Sequence, residues 1–66
     1  MNIIQFNEAL SELGFTPENT TRIEVGVANY SMLKKEFGSF ANKFKGVDFL
    51  LNTTLGKDDL FIFKKT

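Results

Sequence analysis

The chain contains neither cysteine nor histidine in its 66 residues. A domain of this size buries only about 60% of the surface that its unfolded chain exposes, and many such domains rely on disulfides, metals or self-association. Without Cys and His, disulfides, thiolate zinc sites and the commonest transition-metal ligand are excluded. We therefore expect one domain over residues 1–66, held by a single apolar core and open to stabilisation by self-association.

The lack of cysteine is typical of the reducing cytosol. The N-terminal segment has no basic region, and polar residues break its apolar run, so no secretory signal is predicted. No apolar stretch approaches the roughly 18 residues of a membrane span. We expect a soluble, cytoplasmic protein without a membrane partner.

Apolar residues at helical spacing predict a first helix over Ile3–Leu13. Asn2 and Gln5 fit a capping box at its start, and Gly14 fits a left-handed stop at its end. One isoleucine falls off the helical face, which leaves a strand over residues 2–6 as the alternative.

Two further elements are predicted from periodicity. Alternating apolar and polar residues predict a strand over Thr21–Ala28 with one buried face. Ser31 fits the N-cap of a second helix that reaches about Lys45. Its apolar stripe is formed by Leu33, Phe37, Phe40 and Phe44. Gly38 inside this helix costs about 1 kcal/mol relative to Ala and favours a kink.

The remaining residues predict a β-hairpin, with strands Val47–Thr53 and Asp59–Lys65. The fold class is therefore α+β, in the order α-β-α-β-β, with a three-stranded antiparallel sheet and two helices on one of its faces. The predicted core is Phe6, Leu10, Leu13, Ile23, Val25, Val27, Leu33, Phe37, Phe40, Phe44, Phe49 and Leu51.

No pattern of catalytic or ligand-binding residues emerges. Glu8 and Glu12 lie one helical turn apart on the polar face of the first helix, which is typical of solvated charge. Asp58 and Asp59 lack the alternating oxygen ligands of a calcium loop. We predict no catalytic residue, no cofactor and no metal site, so the protein is not expected to be an enzyme.

The basic residues concentrate in the second half of the chain, although the formal net charge is zero; seven of the eight lie in residues 31–66. A nucleic-acid surface would use Lys34, Lys35, Lys43, Lys45, Lys64 and Lys65. Those in the predicted helix surround its whole circumference, which favours a solvated face. A small nucleic-acid-binding regulator is therefore the second functional hypothesis.

The predicted hairpin is unusual because both of its faces are apolar. One alternative pairs Leu50 with Leu60 and Ile62 on the face away from the helices. The other pairs Leu50 with Phe61 and Phe63. An exposed apolar cluster of either kind usually marks an interface. A central position with both faces covered is the competing interpretation.

Taken together, these features predict a non-catalytic protein-binding module, an inhibitor or adaptor that acts through an apolar sheet face and forms homodimers. Small size, a single domain and no cofactor motif are common among phage and mobile-element accessory proteins that bind and block a host protein. The identity of the partner is not predicted.

Folding is expected to need no divalent metal or nucleotide. Dialysis against a chelator should leave the far-ultraviolet circular dichroism unchanged, because no ligand set is predicted. A loss of helical signal would reveal an all-oxygen site, and the pair Asp58 and Asp59 would be the first place to look for it.

Overall fold

A computed structural model describes residues 1–65 of the protein. Two helices and a four-stranded mixed sheet make up a small α+β domain. The elements are α1 (Ile3–Glu12), β1 (Thr20–Val25), α2 (Val27–Phe37), β2 (Lys43–Phe44), β3 (Val47–Leu51) and β4 (Leu60–Lys64). In this part of the chain, neither helix has the length and apolar character needed to cross a membrane.

Helix α1 confirms the predicted helix, and the strand alternative over residues 2–6 is wrong. The side chain of Asn2 accepts a hydrogen bond from the Gln5 N–H at 2.9 Å, and the Gln5 side chain accepts from the Asn2 N–H at 3.0 Å. At the other end Gly14 has a φ of 76°, and the Phe15 N–H donates to the Leu10 carbonyl at 3.0 Å. This is the Schellman arrangement, so α1 is closed by local interactions at both ends.

The second helix differs most from its prediction. It begins at Val27, not at Ser31, and the preceding strand ends at Val25. It stops at Phe37, because the next residue, Gly38, has a φ of 105°, a conformation open to glycine but not to most other residues.

Distant residues position the start of α2. Gly26 is the N-cap of α2, and it has no side chain that could accept a capping hydrogen bond. Instead the Lys57 carbonyl accepts hydrogen bonds from the Ala28 N–H at 2.9 Å and the Asn29 N–H at 3.2 Å. A Cβ atom on Gly26 would lie 1.9 Å from the Gly56 carbonyl oxygen, so only glycine fits. A carbonyl group of the connection between β3 and β4 therefore caps a helix that lies much earlier in the chain.

The predicted three-stranded antiparallel sheet is wrong in strand number and in pairing. The observed order is β2-β3-β1-β4; β3 is parallel to β1, and β4 is antiparallel to β1. Strands β3 and β4 therefore form no hairpin. The hairpin is β2–β3, joined by Lys45 and Gly46 with φ values of 51° and 81°, which are typical of a tight two-residue turn.

The core lies between the helices and one face of the sheet. Its predicted members that are buried are Phe6, Leu10, Ile23, Val25, Leu33, Phe44 and Phe49, and Val47 joins them. The predicted members that are exposed instead are Leu13, Val27, Phe37, Phe40 and Leu51. Most of these misplaced residues lie at or beyond element ends, where the expected periodicity stops.

Substitution of two phenylalanines should separate the observed core from the predicted one. Phe49→Ala removes a buried ring and should lower the free energy of unfolding by about 3–5 kcal/mol. Phe40→Ala removes a ring that is 96% exposed and should change it by less than about 0.5 kcal/mol. Urea denaturation of both variants measures the difference, and equal losses would contradict this placement.

Candidate functional site

The candidate site is the face of the sheet that points away from the helices, called here the open face. Its side chains alternate with the core residues along β1, β3 and β4. Strand register places them in two rows. The first row contains Lys43, Asp48, Arg22 and Phe63, and the second contains Leu50, Glu24 and Phe61. Within residues 1–65 both helices pack on the other face.

The exposure of side chains on the open face distinguishes between the two predicted groupings of Leu50 with residues of β4. Leu50, Phe61 and Phe63 lie on it with 48%, 57% and 37% of their surface exposed. Leu60 and Ile62 point to the opposite side, where they are partly buried against the core. The pairing of Leu50 with Leu60 and Ile62 is therefore wrong, and so is the interpretation in which both faces are covered.

A fixed polar group lies at the centre of this apolar surface. Arg22 Nε donates to Glu24 Oε2 at 2.9 Å, and Asn52 Nδ2 donates to Glu24 Oε1 at 3.0 Å. The Arg22 guanidinium also lies 3.8 Å above the centre of the Phe63 ring. Both charged residues come from the central strand β1, so they separate Leu50 from the aromatic residues of β4 by roughly 10 Å, two strand spacings.

The sequence pattern predicts only part of the hydrogen-bond network that joins Arg22, Glu24 and Asn52. Arg22 and Glu24 are two residues apart on a strand, which places them on one face. Asn52 follows β3 and reaches Glu24 only because β3 pairs in parallel with β1, a long-range pairing that no local pattern indicates.

The hydrogen bonds from Arg22 and Asn52 hold the pKa of the Glu24 carboxyl below its usual value. The carboxylate is therefore the favoured form in the folded protein. Its two oxygens each accept a bond from a different side chain, so the central pair is held from both sides. This leaves a polar centre whose geometry is set before any partner arrives.

The six predicted basic residues are divided among three parts of the molecule. Lys34 and Lys35 lie in the last turn of α2. Lys43 and Lys45 lie at the β2 edge of the sheet. Lys64 and Lys65 lie at the opposite edge, at the end of β4.

Some of these cations already have partners. Lys34 Nζ donates to the Ala41 carbonyl oxygen, and Lys43 Nζ pairs with Asp48 Oδ1 at 2.7 Å. Lys45 Nζ lies 5.6 Å from the centre of the Phe44 ring.

The acidic side chains of residues 1–65 lie in separate parts of the molecule. An open depression of about 620 Å³ beside α1 is lined in part by Glu8, Glu12 and Glu18, with Lys45 on the same rim. Asp58 pairs with the N-terminal ammonium group at 2.7 Å. Among residues 1–65, no three His, Cys, Asp or Glu side chains are grouped so that they would hold a metal ion.

Comparison of the chain with known proteins gives no family: no protein-family model, curated protein or solved structure matches it.

Glu24→Gln should reduce stability at neutral pH and reduce it less in acid. A carboxyl with a lowered folded-state pKa contributes stability above its unfolded pKa and loses that contribution as the pH falls through the folded value. The difference between the native protein and the variant in urea midpoint should therefore shrink from pH 7 to about pH 3. Glu36→Gln, on the exposed side of α2, is the matched control. If the difference in urea midpoint between the native protein and Glu24→Gln did not change with pH, the hydrogen bonds to the Glu24 carboxylate would not stabilise the fold.

Proposed function

We propose that the protein is a non-catalytic, cytoplasmic protein-binding module, an inhibitor or adaptor, and that the open face is its binding surface. The observation that supports this most directly is the uncovered sheet face with Leu50, Phe61 and Phe63 exposed on it. Two of these side chains are neighbours on β4 and the third lies across β1, and exposed apolar side chains on one uncovered sheet face usually mark a surface that binds something.

The composition of the open face suits a protein partner. Aromatic residues and arginine are enriched among the residues that dominate binding energy in protein interfaces. Here Arg22 is already ordered by Glu24 and by the Phe63 ring, so little rotamer freedom remains to be lost on binding. Burial of apolar surface contributes roughly 25 cal/mol per Å² before the entropy of association is subtracted, so three such side chains contribute several kcal/mol.

The polar centre adds specificity to this apolar contact. A partner must bring apolar groups to both sides of β1 and hydrogen-bonding groups opposite Arg22 and Glu24. A partner without those groups would leave a charged pair dehydrated, which is strongly unfavourable. The proposed site therefore selects a protein surface with a polar centre and an apolar rim.

Nucleic acid is a weaker candidate ligand for the open face. Phosphate binding needs several cations together. The cations of this face, Arg22 and Lys43, each pair with a carboxylate, and the remaining lysines are distributed over both edges, α2 and the β3–β4 connection. Retention on heparin that weakens steeply with salt would favour the nucleic-acid hypothesis instead.

Leu50→Lys tests the proposed function. The side chain is half exposed, so the variant should stay folded, while its affinity for a partner captured from the source cells should fall at least about tenfold. Calorimetric titration of the purified partner measures the change. Ile4→Lys is the matched control, because Ile4 is 66% exposed on α1 and lies outside the open face.

Unchanged partner affinity in a folded Leu50→Lys protein would remove the open face as the binding surface. An equal loss in the Ile4→Lys control would do the same, because it would show a general effect of added positive charge.

A further inference from the structure

The two edges of the sheet differ in how well they are protected against pairing with another strand. The β2 edge is only two residues long. The β4 edge is five residues long, and its first four residues, Leu60–Phe63, are all apolar. Natural edge strands usually carry charges, proline or a bulge that discourages further pairing. The apolar part of β4 carries no charge or proline, and the bulge opposite it lies on β1 between Thr20 and Arg22.

The outward main-chain groups of β4 follow from its pairing with β1. The Gly26 N–H donates to the Asp59 carbonyl at 2.9 Å, and the Lys65 N–H donates to the Asn19 carbonyl at 2.7 Å. Inward and outward positions alternate along an antiparallel strand. The main-chain N–H and C=O groups of the odd-numbered residues of β4 therefore point toward β1. Leu60, Ile62 and Lys64 direct theirs outward, where residues 1–65 supply no neighbouring strand.

The sequence of this strand is complementary to itself in the antiparallel direction. With Ile62 placed opposite Ile62 of a second copy, Phe61 lies opposite Phe63, and Asp59 lies opposite Lys65. The outward residues then meet outward residues, so about six main-chain hydrogen bonds form across the junction. Aromatic residues and opposite charges are favourable cross-strand pairs.

We propose that two copies of this chain join through their β4 edges, antiparallel and two-fold symmetric about Ile62, to form one eight-stranded sheet. The two phenylalanine pairs lie at non-hydrogen-bonded positions, where opposing side chains approach most closely. The charge pairs lie at both ends of the junction on the same face as the phenylalanines. A shift of the register by two residues would lose these charge pairs and shorten the junction.

This arrangement places all four helices on one side of the sheet and the two open faces side by side on the other. The junction is one strand wide, so it buries less surface than a standard protein interface, and the dimer should exchange with monomer. Leu50 lies two strands away from β4 and takes no part in the junction. The dimer and the proposed function can therefore fail separately.

Amide hydrogen exchange as a function of protein concentration is the direct test. With rising concentration the amides of Leu60, Ile62 and Lys64 should exchange more slowly, because they become donors across the junction. The amides of Phe61 and Phe63 should be unaffected, because they already face β1. Sedimentation velocity on the same samples should show a monomer–dimer equilibrium.

Two variants remove the junction in different ways. Ile62→Pro deletes an outward N–H that β1 does not use, a position where an edge strand tolerates proline. Lys65→Glu sets like charges opposite each other at Asp59. Each should weaken dimerisation at least about tenfold. Lys57→Glu, an exposed lysine in the connection before β4, is the charge control and should have no effect.

The alternating exchange pattern and the Lys65→Glu result decide the question even if Ile62→Pro fails to fold. A protein that stays monomeric up to its solubility limit would overturn the proposal. A dimer whose affinity Lys65→Glu leaves unchanged, or one that protects Phe61 and Ile62 equally, would also overturn it.

Discussion

The structure depends on the contact between the β3–β4 connection and the start of α2. The Asp59 carbonyl accepts hydrogen bonds from the Gly26 N–H at 2.9 Å and from Asn29 Nδ2 at 3.2 Å, while the Lys57 carbonyl caps the helix. These bonds join the end of β1, the first turn of α2 and the start of β4 at one point. Gly26 allows the approach because any side chain there would collide with the connection.

That contact explains how so short a chain forms a sheet with a central strand. The connection crosses the end of β1, so β4 lies on the side of β1 that β3 does not occupy. Strand β1 gains two neighbours, and Ile23 and Val25 become fully buried. The parallel pairing of β3 with β1, from which this connection starts, brings Asn52 beside Glu24. The two strands that flank β1 therefore determine both the core and the polar centre of the open face.

This arrangement leaves one face of the sheet without a covering helix among residues 1–65. Two helices cover one face of the sheet, and the other face keeps its apolar side chains exposed on β3 and β4. The β4 edge is also left open. The proposed partner surface and the proposed dimer junction both follow from this geometry, since no helix or strand among residues 1–65 lies over either.

The sequence by itself determined the elements whose ends are local. The capping box at Asn2 and the glycine stop at Gly14 define α1 from neighbouring residues, and alternation places Ile23 and Val25 on the buried face of β1. The apolar character of both faces of β4 also indicated an uncovered surface. Each of these depends on residues within a few positions of one another.

Only the tertiary structure decided where α2 begins and how the strands pair. Phe37, Phe40 and Phe44 keep helical spacing, yet the helix ends at Phe37, and Phe44 contributes to the core from a strand. The start of α2 is capped by the distant Lys57 carbonyl, and β3 and β4 flank β1 instead of pairing with each other. Periodicity indicates which side chains are apolar, but main-chain hydrogen bonds between distant segments decide where α2 begins and which strands pair with each other.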